Sequence, residues 1–129
     1  MKLASIDVGL KRIGVAICLA SNIVTPQNAI LRKNRDQAAR DVNVFLKEWE
    51  IDKLIVGFPS SSEDTQNRIK HFVGLLELKI PFEFQEENMS SIEAEEMMKG
   101  EIKYKRDGRV DSLAAKIILE RFLAKKPSL

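Results

Sequence analysis

The chain has one cysteine, one histidine and one tryptophan in 129 residues. The single cysteine, Cys18, allows no internal disulfide, which fits a reducing compartment and a cytoplasmic protein. Cys18 lies inside an apolar run and reads as a core residue. The lone His71 sits in a helical pattern between Lys70 and Phe72, with no second histidine or cysteine to share a metal or a proton. No apolar run approaches the ~20 residues a membrane span requires, so a membrane is not expected as a partner. Met1-Lys2-Leu3 runs straight into a strand-like segment and shows no signal-peptide layout. Internal repeats and low-complexity tracts are lacking as well. So is a large excess of either charge: the formal net charge is +2.

What is present describes a soluble globular chain, with 44% hydrophobic and 31% charged residues. Its length suits a single domain over residues 1–129 with one core. The charge is uneven. Residues 99–109 hold Lys99, Lys103, Lys105, Arg106 and Arg109 against Glu101 and Asp107, a local excess of +3. Such a cluster reads as a solvated loop, or as a phosphate-backbone contact if the fold brings it to a site.

Ser5 to Ile17 is the organising stretch. Leu3–Val8 and Arg12–Leu19 read as two strands joined by a tight turn at Gly9. The second is almost wholly apolar, as a strand covered on both faces would be. Ser21-Asn22 is a turn. Ile23–Thr25 and Ala29–Leu31 make a third strand interrupted by Pro26, which argues for an edge or a bulge. Asn34 and Gln37 then form a capping signal, and Ala38, Ala39, Val42, Phe45, Leu46 and Trp49 recur at helical spacing.

Leu54–Gly57 is a short apolar strand, followed by a polar loop over Ser60–Asp64. Ile69, Phe72, Val73 and Leu76 mark a second helix, and Pro81–Gln85 a fifth strand. Ser90 and Glu93 make a capping box for a short helix. A final helix starts near Val110, with Leu113, Ala114, Ile117, Ile118, Phe122 and Leu123 as its apolar positions. Three strands in succession give an antiparallel meander. The alternating remainder implies crossovers, and so a mixed five-stranded sheet in an α/β/α sandwich.

Three acids fall where such a sheet gathers ligands, at the carboxyl ends of its strands. Asp7 ends the first strand, Glu87 follows the fifth, and Asp111 opens the last helix. Asp111 shares a stripe with Ala114, Ala115, Ile118 and Phe122, and the small alanines let that face approach the sheet closely. Taken singly, each acid has a plainer reading. Asp7 could bond its own turn, Glu87 could be surface charge before a helix, and Asp111 could be a first-turn acid. Together, three converging carboxylates without a basic partner favour divalent cations. Mg²⁺ takes oxygen ligands and leaves room for phosphate oxygens, and two such ions can serve phosphodiester hydrolysis.

At these residues a resemblance emerges. Asp7-Val8-Gly9-Leu10-Lys11-Arg12-Ile13-Gly14-Val15-Ala16 resembles the opening motif of the YqgF family. Ile55-Val56-Gly57-Phe58-Pro59 is similar to its strand ending in Gly-x-Pro. Glu86-Glu87-Asn88-Met89-Ser90-Ser91-x-x-Ala94 looks like its Asp-Glu-Arg-Leu-Ser/Thr-Thr-x-x-Ala motif. Val110-Asp111-Ser112-Leu113-Ala114-Ala115 looks like its Val-Asp-x-x-Ala-Ala helix. The matches run in order from residue 4 to about residue 119. The resemblance implies an RNase H-like fold and a metal-dependent nuclease, of the kind described as Holliday-junction-resolvase-like or as pre-16S rRNA nuclease.

It further implies that Asp7, Glu87 and Asp111 are the catalytic and metal-binding triad, holding one or two Mg²⁺ or Mn²⁺ ions. Lys11, Arg12, Lys103, Lys105, Arg106 and Arg109 would then position the nucleic-acid backbone. The implied partners are RNA, in 5′-end processing of pre-16S rRNA, or branched DNA, with the ribosome as a further partner. The chain would act as a monomer or a weak homodimer. Three positions depart from the family pattern. Leu10 replaces a small polar turn residue, Glu86 replaces aspartate, and Asn88 replaces an arginine whose planar fork would grip phosphate.

Two readings of other classes stand beside this one. Asp-x-Gly before a hairpin is also the first phosphate motif of the actin and sugar-kinase group, but those folds close two domains over a nucleotide. A non-catalytic nucleic-acid- or ribosome-binding module is the other, with Asn88 in its favour.

Overall fold

A computed structural model describes residues 1–60, 62–86 and 109–125, with the backbone alone for 109–111. The motif around Glu87 and Asn88, the Ser90–Glu93 cap, and Lys103, Lys105 and Arg106 lie outside the described residues. The elements in chain order are β1 (Leu3–Val8), β2 (Arg12–Cys18), β3 (Thr25–Leu31), α1 (Arg35–Glu48), β4 (Lys53–Phe58), α2 (Glu63–Leu76), β5 (Phe82–Glu86) and α3 (Arg109–Lys125). The five strands form one sheet in the order β3-β2-β1-β4-β5. β1 is central. It pairs antiparallel with β2 and parallel with β4, and β4 pairs parallel with β5.

Alternation along each strand divides the core between two faces. Ala4, Ile6, Ile13, Val15, Ile17, Leu54 and Val56 pack with the buried sides of α1 and α2. Leu3, Ala16, Cys18 and Ile55 pack on the other face with Ala115, Ile118, Leu119 and Phe122 of α3. This is the α/β/α sandwich expected from the sequence. Cys18 is buried in it and His71 is exposed. Among the described residues no helix is long and apolar enough to cross a membrane.

Local chemistry sets the element ends. Asn34 caps α1 in a full capping box: Gln37 N–H donates to its side chain, and the Gln37 side chain accepts from the Asn34 N–H. Ser62 caps α2, its Oγ accepting from Thr65 N–H, so the segment expected as loop through Asp64 becomes helix at Glu63. The acids Glu63 and Asp64 then sit in a first turn, where the helix dipole favours them. β3 is continuous through Pro26 rather than split by it. It lies at the sheet edge, where a missing N–H is tolerated, and a register shift opposite Ile13/Val15 absorbs the irregularity.

Candidate active site

Asp7 stands on the α3 face of the central strand. It pairs with Gly14 of β2. On the other side Ile6 pairs with Val56, so the next rung brings Asp7 level with Gly57. Gly57 in turn pairs with Gln85 of β5. One level of the sheet therefore reads Gly14, Asp7, Gly57, Gln85. The two glycines add no side chain beside Asp7, and Gln85 stands on the far side of Gly57. Strands lie ~4.8 Å apart, so Asp7 and Gln85 are separated by ~10 Å across the bare Gly57 backbone.

The hairpin that carries Asp7 is tightly made. Gly9 N–H donates to the Arg12 carbonyl at 3.0 Å. A Cβ at Gly9 would lie 2.5 Å from that same oxygen, so only glycine fits the turn. Arg32 secures it from outside, its Nη1 donating to the Gly9 carbonyl at 2.8 Å and its backbone N–H to the Lys11 carbonyl at 2.9 Å. Lys11 is exposed on this turn and Arg12 is half-buried at the start of β2.

The last helix is registered by a second polar contact. The fully buried Ser5 donates from Oγ to the Ala115 carbonyl at 2.6 Å. Farther along α3, Phe122 lies against Lys53, whose Nζ is 5.2 Å from the ring centroid. Lys53 pairs with Leu3, at the start of β1. From Ser5 to Leu3 the strand thus runs backwards while the helix runs from 115 to 122. α3 is antiparallel to β1, and its first turn lies toward the Asp7 end. The backbone of residue 111 stands one turn before Ala115, as Asp7 stands two residues beyond Ser5. The close approach expected from Ala114 and Ala115 is realised, since both are fully buried.

The fifth strand ends at the same edge. Glu86 is its last residue, and Ser60 Oγ, beyond β4, donates to Glu86 Oε1 at 3.2 Å. Glu87 follows directly and lies outside the described residues, as do Lys103, Lys105 and Arg106. The side chains of Arg109 and Asp111 are likewise not described. Among the described residues no group of three His, Cys, Asp or Glu side chains is gathered to hold a metal.

Two buried polar atoms, Gln85 Oε1 and Ser112 Oγ, have no hydrogen-bond partner among the described residues. The Gln85 amide uses its Nε2 on the Glu86 carbonyl at 3.4 Å, leaving the oxygen over. Buried oxygens of this kind are rarely left alone in a folded protein unless water, an ion or a ligand completes them. Both belong to the layer between the α3 face of the sheet and α3. Neither is legible in the sequence: Gln85 acquires its meaning from Gly57 beside it, and Ser112 from burial under a helix face. The donors here are oxygens, with no thiol or imidazole among them, which suits a hard divalent cation rather than a soft one.

Comparison with known proteins gives the family and the fold. The family described as RuvX, Holliday junction resolvase, matches residues 1–125. A relative from Sulfurovum sp. (strain NBC37-1), named "Putative pre-16S rRNA nuclease", is 65% identical and covers 96% of this chain and 99% of its own. Among solved structures, the fowlpox virus resolvase in complex with Holliday junction DNA superposes with a TM-score of 0.58 at 17% identity, over 97% of this chain and 100% of that one. Thermus thermophilus RuvC superposes at 0.54 with 13% identity, over 96% and 95% of the two chains. At those identities the likeness speaks for the fold, which is the RNase H-like fold of the resolvases. By sequence, the chain belongs to the RuvX family of Holliday junction resolvases, the family its opening motif resembles under the name YqgF.

Proposed function

We propose that the protein is a metal-dependent endonuclease that hydrolyses phosphodiester bonds in the 5′-end processing of pre-16S rRNA. One observation carries this reading. Asp7 is set at the carboxyl end of the central strand, between two glycines and under the first turn of α3. A carboxylate so placed stands where the strand ends of such a sheet gather ligands, beside a turn closed by the Gly9 to Arg12 bond. The names of its relatives supply the substrate class.

Asp7, Glu87 and Asp111 would hold one or two Mg²⁺ or Mn²⁺ ions. When bound, such ions lower the pKa of an attacking water and offset charge on the leaving oxygen. The chain's own part is to fix the ligands. The Gly9 turn would set Asp7, the Ser5 bond to Ala115 would set the height of α3 over it, and Glu87 would follow from the end of β5. Lys11, Arg12 and the basic residues from Lys103 to Arg109 would hold the backbone without reading sequence. The protein would work in the cytoplasm as a monomer or weak homodimer, in contact with the ribosome.

Junction resolution is the second reading, favoured by the family description and by the likeness in fold to a resolvase. The test is direct. Asp7→Asn is expected to abolish Mn²⁺-dependent cleavage of a labelled pre-16S 5′-leader RNA while leaving the urea midpoint unchanged. A variant that cuts as fast as the parent refutes the site. A labelled four-way DNA junction run in parallel separates the substrates: cleavage of the junction alone would overturn the rRNA assignment.

A further inference from the structure

We propose that Arg32, Arg35 and Arg68 form a second phosphate-binding patch, which takes the sugar–phosphate backbone of a nucleic-acid strand on the α1/α2 side of the edge that carries Asp7. The proposal rests on the nuclease reading for its substrate class, but concerns residues outside the triad and outside the basic segment at 99–109.

The geometry begins with Arg32. Its Nη1 is held on the Gly9 carbonyl at 2.8 Å, and its guanidinium lies over the Phe72 ring, 5.6 Å from the centroid. Arg68 stands one helical turn before Phe72 on α2, on the same side of the helix. Its Nη2 donates to Thr65 Oγ1 at 3.1 Å, which directs it along the first turns of α2. Arg35 opens α1, three residues after Arg32. Three arginines, from β3's exit, the start of α1 and the second turn of α2, thus gather on one side of the sheet, with Arg32 touching the hairpin turn. None of them is within ion-pair distance of a carboxylate among the described residues.

Such a grouping costs free energy. The Arg32 guanidinium binds its proton less tightly than an ordinary arginine, first because it is partly buried and then because Arg35 and Arg68 stand near. Asp36 and Asp64 lie in the first turns of the same helices but form no ion pair with these arginines, and like charges left unpaired are offset by an anion. Guanidinium forks suit phosphate oxygens better than an ammonium does. The general charge of the chain does not account for the cluster, because the net charge is only +2.

Position argues for a strand rather than a free anion. Gly9 lies two residues beyond Asp7, a separation of at most ~7 Å along the backbone. Phosphates recur every ~3.4 Å of axis along a duplex strand. A strand cut at Asp7 would carry its next few phosphates past the Gly9 turn and onto these arginines.

The test uses the full chain in the Asp7→Asn background, with EDTA, so that binding is read apart from cleavage. Probes are a fluorescein-labelled mixed-sequence RNA and a labelled four-way DNA junction, titrated by anisotropy across a salt series. Removing one cation that neutralises a phosphate lowers the log–log salt slope by ~0.7–0.9. Arg35→Gln with Arg68→Gln should therefore reduce it by ~1.5 and weaken both probes alike. Lys79→Gln, beyond the far end of α2, should leave the slope unchanged. Inorganic phosphate at equal ionic strength should compete better than chloride against the parent patch, and no better than chloride against the double variant. An unchanged slope in the double variant overturns the patch, and so does an equal loss in Lys79→Gln. Phosphate competition that survives unchanged in the double variant would overturn it as well. Failure of Asp7→Asn to abolish cleavage would instead count against the nuclease site.

Discussion

Replacing Ser5 separates two things that the Ser5–Ala115 bond does. Ser5→Ala removes the donor and little else. The Ala115 carbonyl keeps its own partner one helical turn on, so no acceptor is stranded. The loss is therefore the net worth of one buried hydrogen bond, ~1 kcal/mol. Unfolding entropy is ~2.1 cal/mol/K per residue, so that loss lowers the melting temperature of this chain by ~4 °C. Ser5→Val does something different. The oxygens now stand 2.6 Å apart, whereas a carbon against a carbonyl oxygen needs ~3.3 Å or more.

The α3 backbone must then retreat by ~0.7 Å at Ala115, and the first turn of the helix retreats with it. A displacement near 1 Å in a catalytic constellation can cost ~10²-fold in rate, so Ser5→Val should cleave ~30–100-fold more slowly than Ser5→Ala. Urea melts supply the stabilities, and single-turnover cleavage of the labelled leader supplies the rates. If Ser5→Val cuts within about threefold of Ser5→Ala, the height of α3 does not set the site and the reasoning fails.

Three further substitutions or reactions probe the frame around that site. Gly9→Ala puts a carbon 2.5 Å from the Arg12 oxygen; urea melts should show a loss of ~1–2 kcal/mol, with slower cleavage because Asp7 shares the turn. Phe122→Ala empties a position that is 1% exposed under Lys53, and should cost ~3–5 kcal/mol in the same melts. Cys18 is buried in the layer beneath α3, so a disulfide thiol reagent should react at least ~10³-fold more slowly in buffer than in urea. Equal rates would show that this layer opens without unfolding.

Much of the architecture is legible in the sequence because it is written locally. The hairpin from Leu3 to Cys18, the cap at Asn34 and the periodicity of α1, α2 and α3 each depend on residues within a turn or two of one another. Pro26 reads as an interruption because the missing N–H is a local fact. That β3 continues through it depends on its place at the sheet edge, which is not. The sequence pattern starts α2 too late, because Ser62 becomes a cap only when Thr65 N–H turns toward it. Asp7 stands out from its position after an apolar strand. Arg32 and Arg68 carry no such signal, because nothing nearby in sequence marks two arginines from different elements as neighbours.

The sequence by itself determined the order of strands and helices among the described residues, the glycine turn of the first hairpin, and the three acids worth testing. These follow from steric limits on the backbone and from the spacing of apolar side chains, both of which act over a few residues. Tertiary structure alone decided which strand ends share an edge. It brought β4 beside β1, so that Gly57 and Gly14 flank Asp7 and the Gln85 oxygen, without a partner among the described residues, lies beyond them. It also ran α3 antiparallel to β1 through the Ser5 bond and set Arg32 between the Gly9 turn and Phe72. Each of these depends on register between segments far apart in the chain, which is settled by how two faces of a sheet pack rather than by any local pattern.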